Sequence, residues 1–220
     1  MGFNPPADRL PVIYVSVFDG NLTTRAKPNE EGAVERENKE GKKVWEHHHK
    51  NGLTGILLNI TAAKNPRINK NPWEYIIEMR DNKNKFVIAI PAESRYGDDL
   101  ACKVPALQYG VSTVIKPYNF TDKEDKEKKF IGITIMQEGA KIPRCITKEN
   151  PMGRPETDGK LDDDDYKAFK IKERKFYREI VQHHSNTSTN PDSIKISTAA
   201  IQTSEDQATP ASGDEDDLPF

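Results

Sequence analysis

From Pro11 to Gln137 apolar and polar positions mostly alternate with a period of two, the pattern of strands with one buried face. The runs are VIYVSVF (12–18), GILLNIT (55–61), WEYIIEM (73–79), KFVIAI (85–90), VSTVIKPYNF (111–120) and FIGITIM (130–136). Between them lie polar, Gly-, Pro- or Asn-rich links, among them DGN (19–21) and RDNKN (80–84), which carry turn chemistry. About six short strands joined this way predict a mainly β chain, folded as a barrel or sandwich. A short helix is expected between Asp98 and Tyr109, kept short by Pro105.

The period then changes. PRCITKENPMGRPETDG (143–159) holds three prolines and reads as a linker or long loop. In DDDDYKAFKIKERKFYREIVQHH (162–184), Tyr166, Phe169, Phe176 or Tyr177, and Ile180 recur at helical spacing. Asp162 to Asp165 suit the positive end of a helix dipole. A basic, amphipathic helix docked on the β body is therefore expected over 162–184. Residues 185–220 are mostly Ser, Thr, Asn, Gln, Ala and Asp, a composition that cannot bury a core, and a disordered tail is expected there.

Charge follows the same division. The chain is net −2, but residues 185–220 carry seven acids against Lys195 alone, so the tail is net −6 and the body net +4. This asymmetry fits a nucleic-acid binder with an acidic regulatory tail, and equally a solvated surface with a solubilising tail. Two cysteines, Cys102 and Cys145, make no disulfide framework. The first residues lack a basic segment leading into an apolar run, and no stretch reaches membrane-span length, so a cytoplasmic setting is expected.

Candidate chemistry comes from aromatic rings on the wrong parity. In VIYVSVF, Ile13, Val15 and Val17 form an ordinary core face, which leaves Tyr14 and Phe18 on the other face with Ser16. KPYNF repeats the arrangement with Lys116, Tyr118 and Phe120. Rings interleaved with cations on an open sheet face make a platform where bases stack and phosphates are gripped. Core or helix-docking contacts are the competing account of each ring. Trp73 and Tyr75 share their parity with Ile77 and Met79 and are expected to face the core.

Two basic segments are further candidates for phosphate contact. TAAKNPRINKNP (61–72) carries Lys64, Arg67 and Lys70 with no acid, and GKKVW carries Lys42, Lys43 and Trp45. Solvated loops are the plainer reading of both. His47 to His49, with His183 and His184, raise the question of a metal. Three consecutive histidines do not project together from a strand, and neither cysteine belongs to a C-x-x-C pair, so no metal site is expected. A P-loop, a G-x-S-x-G and a placeable His–Asp pairing are all missing, and no enzyme is expected. Asp162 to Asp165 are explained more simply by a helix start than by a metal-dependent nuclease.

The chain closes on GDEDDLPF (213–220), with Asp214, Glu215, Asp216 and Asp217 leading into Leu218, Pro219 and Phe220. On a disordered tether this reads as a recognition peptide: Phe220 for an apolar pocket, acids for surrounding lysines and arginines, Pro219 to limit the entropy lost. DEDDLPF resembles the acidic tip of bacterial single-stranded DNA-binding proteins (SSB). Asp214, Asp216, Asp217, Pro219 and Phe220 match that tip, and Leu218 stands where isoleucine is usual. The resemblance covers the last seven residues, and the combination of this tip with a body that departs from the bacterial plan looks more like a phage- or plasmid-encoded SSB. It implies an OB-fold-like barrel, here of five to six strands over 1–142, and a disordered tail over 185–220; the linker over 143–161 and the helix over 162–184, read from the pattern above, are additions to the usual bacterial plan. It also implies sequence-independent binding of single-stranded DNA, no cofactor, and recruitment of replication, recombination or repair proteins in a bacterial or phage-infected cell. Oligomeric state stays open, a homo-oligomer included. The alternative is an interaction adaptor or inhibitor whose tail mimics the tip without DNA affinity.

Overall fold

The computed structural model describes residues 10–38, 41–65, 72–157 and 161–188. The six sequence-predicted strands are present as β1 (Val12–Phe18), β5 (Leu53–Lys64), β6 (Trp73–Arg80), β7 (Lys85–Pro91), β8 (Ser112–Thr121) and β9 (Lys129–Gln137). Four more join them: β2 (Asn21–Arg25), β3 (Val34–Glu37), β4 (Lys43–His49) and the two-residue β10 (Ala140–Lys141). All ten make one open sheet in the order β10-β9-β8-β5-β6-β7-β1-β2-β4-β3. The chain is thus mainly β, with more strands than hydrophobic alternation announces. None of its described helices is long and apolar enough to cross a membrane.

The order β8-β5-β6-β7 is a Greek key: a meander β5–β6–β7, then a strand that returns to lie beside the first. Strand β5 serves two neighbours. Leu53–Ile56 pair with β8, while Ile56–Lys64 pair with β6 across a register shift between Leu57 and Asn59. An irregularity of this kind bends a strand and increases its twist. Gly55 permits the crossing, because a Cβ there would lie 2.7 Å from the Arg80 carbonyl oxygen.

Between β7 and β8 runs α1 (Arg95–Lys103), three residues earlier than the apolar pattern suggests. Ser94 sets that start: its side chain caps the helix by accepting from the Gly97 amide at 3.1 Å. Pro105 then lies in a single 3-10 turn, Val104–Ala106. The β1–β2 turn returns to this region. Gly20 N–H donates to Tyr96 Oη at 2.8 Å, and Asn119 Nδ2 donates to Asp19 Oδ1 at 2.6 Å. Gly20 has φ +74°, and a Cβ there would come within 2.6 Å of the Asn119 amide, so no larger residue fits this approach. The turn rests on β8, which lies four places from β1 and five from β2 in the sheet order, so the sheet curls toward itself.

The core collects Leu57 and Ile60 from β5, Tyr75, Ile77 and Met79 from β6, Ile88 and Ile90 from β7, Ile115 from β8, and Ile133 and Ile135 from β9. Helix α2 (Asp163–Ser188) covers part of it with Tyr177 and Val181. Asp162 caps α2 by accepting from the Asp164 and Asp165 amides at 3.0 and 2.8 Å, in accord with the acidic start. The buried stripe of α2 is Glu173, Tyr177 and Val181, while Tyr166 is exposed. The segment 143–157 is a strap rather than a free linker. Cys145 and Ile146 donate to the Cys102 carbonyl, and Ile146 lies in the core. The described residues up to Ser185 form one compact unit.

Glu173 is an acid on a buried face, and its partners explain how it is tolerated. It accepts from Arg154 Nε at 2.8 Å and also from Arg154 Nη2 and Lys170 Nζ. Burial pushes its carboxyl up, but the hydrogen bonds from Lys170 and Arg154 outweigh this and hold it below the usual carboxylate range. A depressed folded-state pKa contributes stability above the unfolded value and loses it as pH falls through the folded one. Glu173→Gln is therefore expected to lower stability at pH 7 by roughly 1–3 kcal/mol. Its deficit against the parent protein should shrink below about pH 4. Urea midpoints measured at both pH values check this. A deficit that does not change with pH would contradict it.

Candidate nucleic-acid interface

Strands β8 and β9 carry an aromatic ladder on the face turned away from Ile115, Pro117, Ile133 and Ile135. Phe120 and Phe130 are direct cross-strand partners, with ring centroids 5.2 Å apart and planes 25° from parallel. Tyr118, two residues along the same face, lies 5.7 Å from Phe120. Lys128 Nζ sits 4.8 Å from the Phe130 centroid, a cation–π arrangement at one end. Lys116, exposed and on the same parity, stands toward the other. Phe120 remains 39% exposed, well above a core aromatic.

Sequence reasoning named Lys116, Tyr118 and Phe120 and missed Phe130 and Lys128. The signal for Phe130 was available. In FIGITIM it falls out of phase with Ile131, Ile133 and Ile135, as Phe120 falls out of phase with Ile115 and Pro117.

Beside the ladder is a groove of about 310 Å³ lined by Arg95, Asp98, Asp99, Tyr118, Lys129, Phe130, Ile131 and Arg144. Gly132 makes space for Tyr118, since a Cβ there would overlap the phenol oxygen. Burial, with Asp99 nearby, pushes the Tyr118 hydroxyl up against the opposing Arg144, so it stays a protonated donor at neutral pH. Burial likewise pushes the Asp98 carboxyl above its ordinary range; Lys170, Arg174 and Arg154 oppose this and Glu173 adds to it. Arg95, Lys129 and Arg144 outnumber Asp98 and Asp99 on its wall, and Arg144 faces Asp99 at 3.5 Å, which leaves Arg95 and Lys129 as its cations beside the rings.

The remaining predicted residues fall in other places. Tyr14 (74% exposed) and Phe18 (43%) lie on the outward face of β1, as their parity implies. Arg36 of β3 lies over Phe18, its guanidinium carbon 4.4 Å from the ring centroid. GKKVW is not one basic loop: Lys43 and Trp45 belong to β4 and share the face opposite Val44 and Glu46. Glu46 lines the same hollow as Tyr14, so Lys43 and Trp45 are turned away from the Tyr14 face. Lys43 pairs with Glu35 at 2.7 Å, and Trp45 is half-buried. Lys42 is exposed just before β4.

At the far end of β5, Lys64 Nζ is 5.6 Å from the Trp73 centroid, and Arg178 of α2 is 5.2 Å from the same ring. Trp73 itself packs against the core, in keeping with its parity. Arg67 and Lys70, and the tip Asp214–Phe220, lie outside the described residues. The predicted contacts thus divide among the β8–β9 ladder, the β1–β4 face and the β5–β6 end. Comparison with known proteins gives no match: no family model, no curated protein and no solved structure matches this chain.

Proposed function

We propose that this chain binds single-stranded DNA without sequence preference, protecting it during replication, recombination or repair, while its acidic tip recruits partner proteins. The observation that carries the reading is the β8–β9 ladder. Every base has a π-face, so a row of rings flanked by lysines takes up single strands of any sequence. The topology supports an OB-fold reading of the body. The Greek key β8-β5-β6-β7 extended by β9 has five strands, as that fold does, and it leaves the sheet partly open. On this reading the β5–β6 link, which holds Arg67 and Lys70, and the β8–β9 link, which holds Lys123, Lys126 and Lys128, are the two strand-gripping loops. The tip DEDDLPF supplies the recruitment half of the proposal from sequence alone.

The test is fluorescence anisotropy with labelled oligo-dT across a salt series, using the full chain and a chain ending at Ser188. Phosphate contacts on single strands give a slope near −0.7 per contact, so three or four contacts mean a roughly 20- to 50-fold loss from 50 to 200 mM salt. The shortened chain is expected to bind as tightly or more tightly, because the tail repeats the sign of the phosphates. An absence of binding by both chains at low salt would overturn the reading and leave the tip as a mimic.

A further inference from the structure

We propose that the hollow over β1–β4 is a second nucleotide subsite, in which one unpaired base stacks on Tyr14 and its phosphate meets Arg25. The proposal rests on the single-stranded DNA reading and extends it to a surface separate in the sheet order from the β8–β9 ladder.

The hollow encloses about 430 Å³ and is lined by Tyr14, Ser16, Thr23, Arg25, Arg36, Asn38, Val44 and Glu46. Small-molecule sites begin at about 300 Å³. Its charged side chains are not equivalent. Arg36 donates from Nε and Nη2 to both Glu46 oxygens, at 2.7 and 2.6 Å, while its guanidinium lies over Phe18. That two-pronged pair fixes one wall and cancels its own charge. Arg25 is exposed, and its side chain makes no hydrogen bond or ion pair among the described residues. The net charge offered to a ligand is therefore the single positive charge of Arg25.

Tyr14 is the other unspent group. Its ring is 74% exposed in mid-strand, with no ring contact or hydrogen bond among the described residues. At that exposure the ring adds little to the core. An open ring, one free cation and a rim of hydroxyl and amide groups match a ligand that is planar at one end and anionic at the other. A nucleotide of a single strand has that chemistry. An acidic peptide containing an aromatic, such as this chain's own tip, is the competing occupant.

The experiment uses the full chain with dT15 carrying one 5-iododeoxyuridine, photocrosslinked and mapped by mass spectrometry, together with Tyr14→Ala and Arg25→Ala. The crosslink is expected at Tyr14. Tyr14→Ala should weaken oligo-dT binding roughly 5- to 150-fold, the range for loss of one stacked base. Arg25→Ala should flatten the salt slope by about 0.7, one phosphate. If the parent protein binds oligo-dT while neither variant changes binding and no crosslink reaches Tyr14, the subsite falls and the DNA reading stands. If the parent protein fails to bind at all, both fall together. If the two substitutions matter only while residues 189–220 are present, the hollow holds the tail and the subsite is again overturned.

Discussion

Asp99→Ala is expected to cost about 3–5 kcal/mol of folding stability, the penalty for leaving one partner of a buried ion pair alone. Asp99 and Lys103 are each 5% exposed, one turn apart on α1. Lys103 Nζ donates to Asp99 Oδ2 at 2.8 Å and to the Ile133 carbonyl. Asp99 Oδ2 also accepts from the Ile133 amide at 2.7 Å, and Arg144 Nε stands 3.5 Å from Oδ1. One carboxylate thus ties α1 to β9. Its removal strands a buried ammonium and orphans a strand amide, and nearby apolar atoms compensate neither. At a typical urea m-value of about 2 kcal/mol/M, the midpoint should fall by roughly 2 M. The double replacement Asp99→Leu with Lys103→Met should recover much of the loss, because removing both charges also removes the desolvation problem. A midpoint within a few tenths molar of the parent in Asp99→Ala would show that the pair is hydrated and contributes little.

This arrangement also explains what could be read from the sequence. Strands β1 and β5 through β9 are visible because each places mainly apolar residues toward the core on one parity. Strands β2, β3 and β4 bury little that is apolar: Leu22 is the one large aliphatic of β2, and the most buried residue of β4 is Glu46, on the same face as Tyr14. Cross-strand partners such as Thr24 with His47 and Glu37 with Lys43 place them, and a hydropathy pattern does not encode pairing. Missing β4 made Lys42, Lys43 and Trp45 read as one loop patch, although a strand must divide adjacent residues between two faces. On α2, Phe176, Tyr177 and Ile180 were legible and pack on the core, but Tyr166 is exposed and the buried acid of that face was missed for a related reason. The buried stripe begins at Glu173, an acid made tolerable by Arg154 from the preceding strap, and no helical periodicity points to a partner 19 residues upstream. The outward aromatics of β1 and β8 were legible because parity alone separates them from the core.

Loss of the β8–β9 rings should weaken oligo-dT binding more than any other single-site change on this surface. Stacking is worth about 1–3 kcal/mol per base, so Phe130→Ala or Phe120→Ala should each lower affinity roughly 5- to 150-fold. The rings stack on each other, so the double variant should fall short of the summed losses, since the first removal already disturbs the second ring. Phe120 is exposed, and its replacement should leave the urea midpoint near that of the parent. The salt series separates this effect from charge. Ring variants lose a π-face and no phosphate contact, so their slope should match the parent's, whereas Lys128→Ala should flatten it by about 0.7. Phe120→Tyr should keep affinity and Phe120→Leu should not, because leucine retains apolar bulk without the π-face that bases stack on. Parent-like binding by Phe120→Leu would mean that only an apolar contact operates there. Parent-like binding by the double alanine variant would reduce the ladder to packing between two strands, and the nucleic-acid surface would have to be sought on β1–β4.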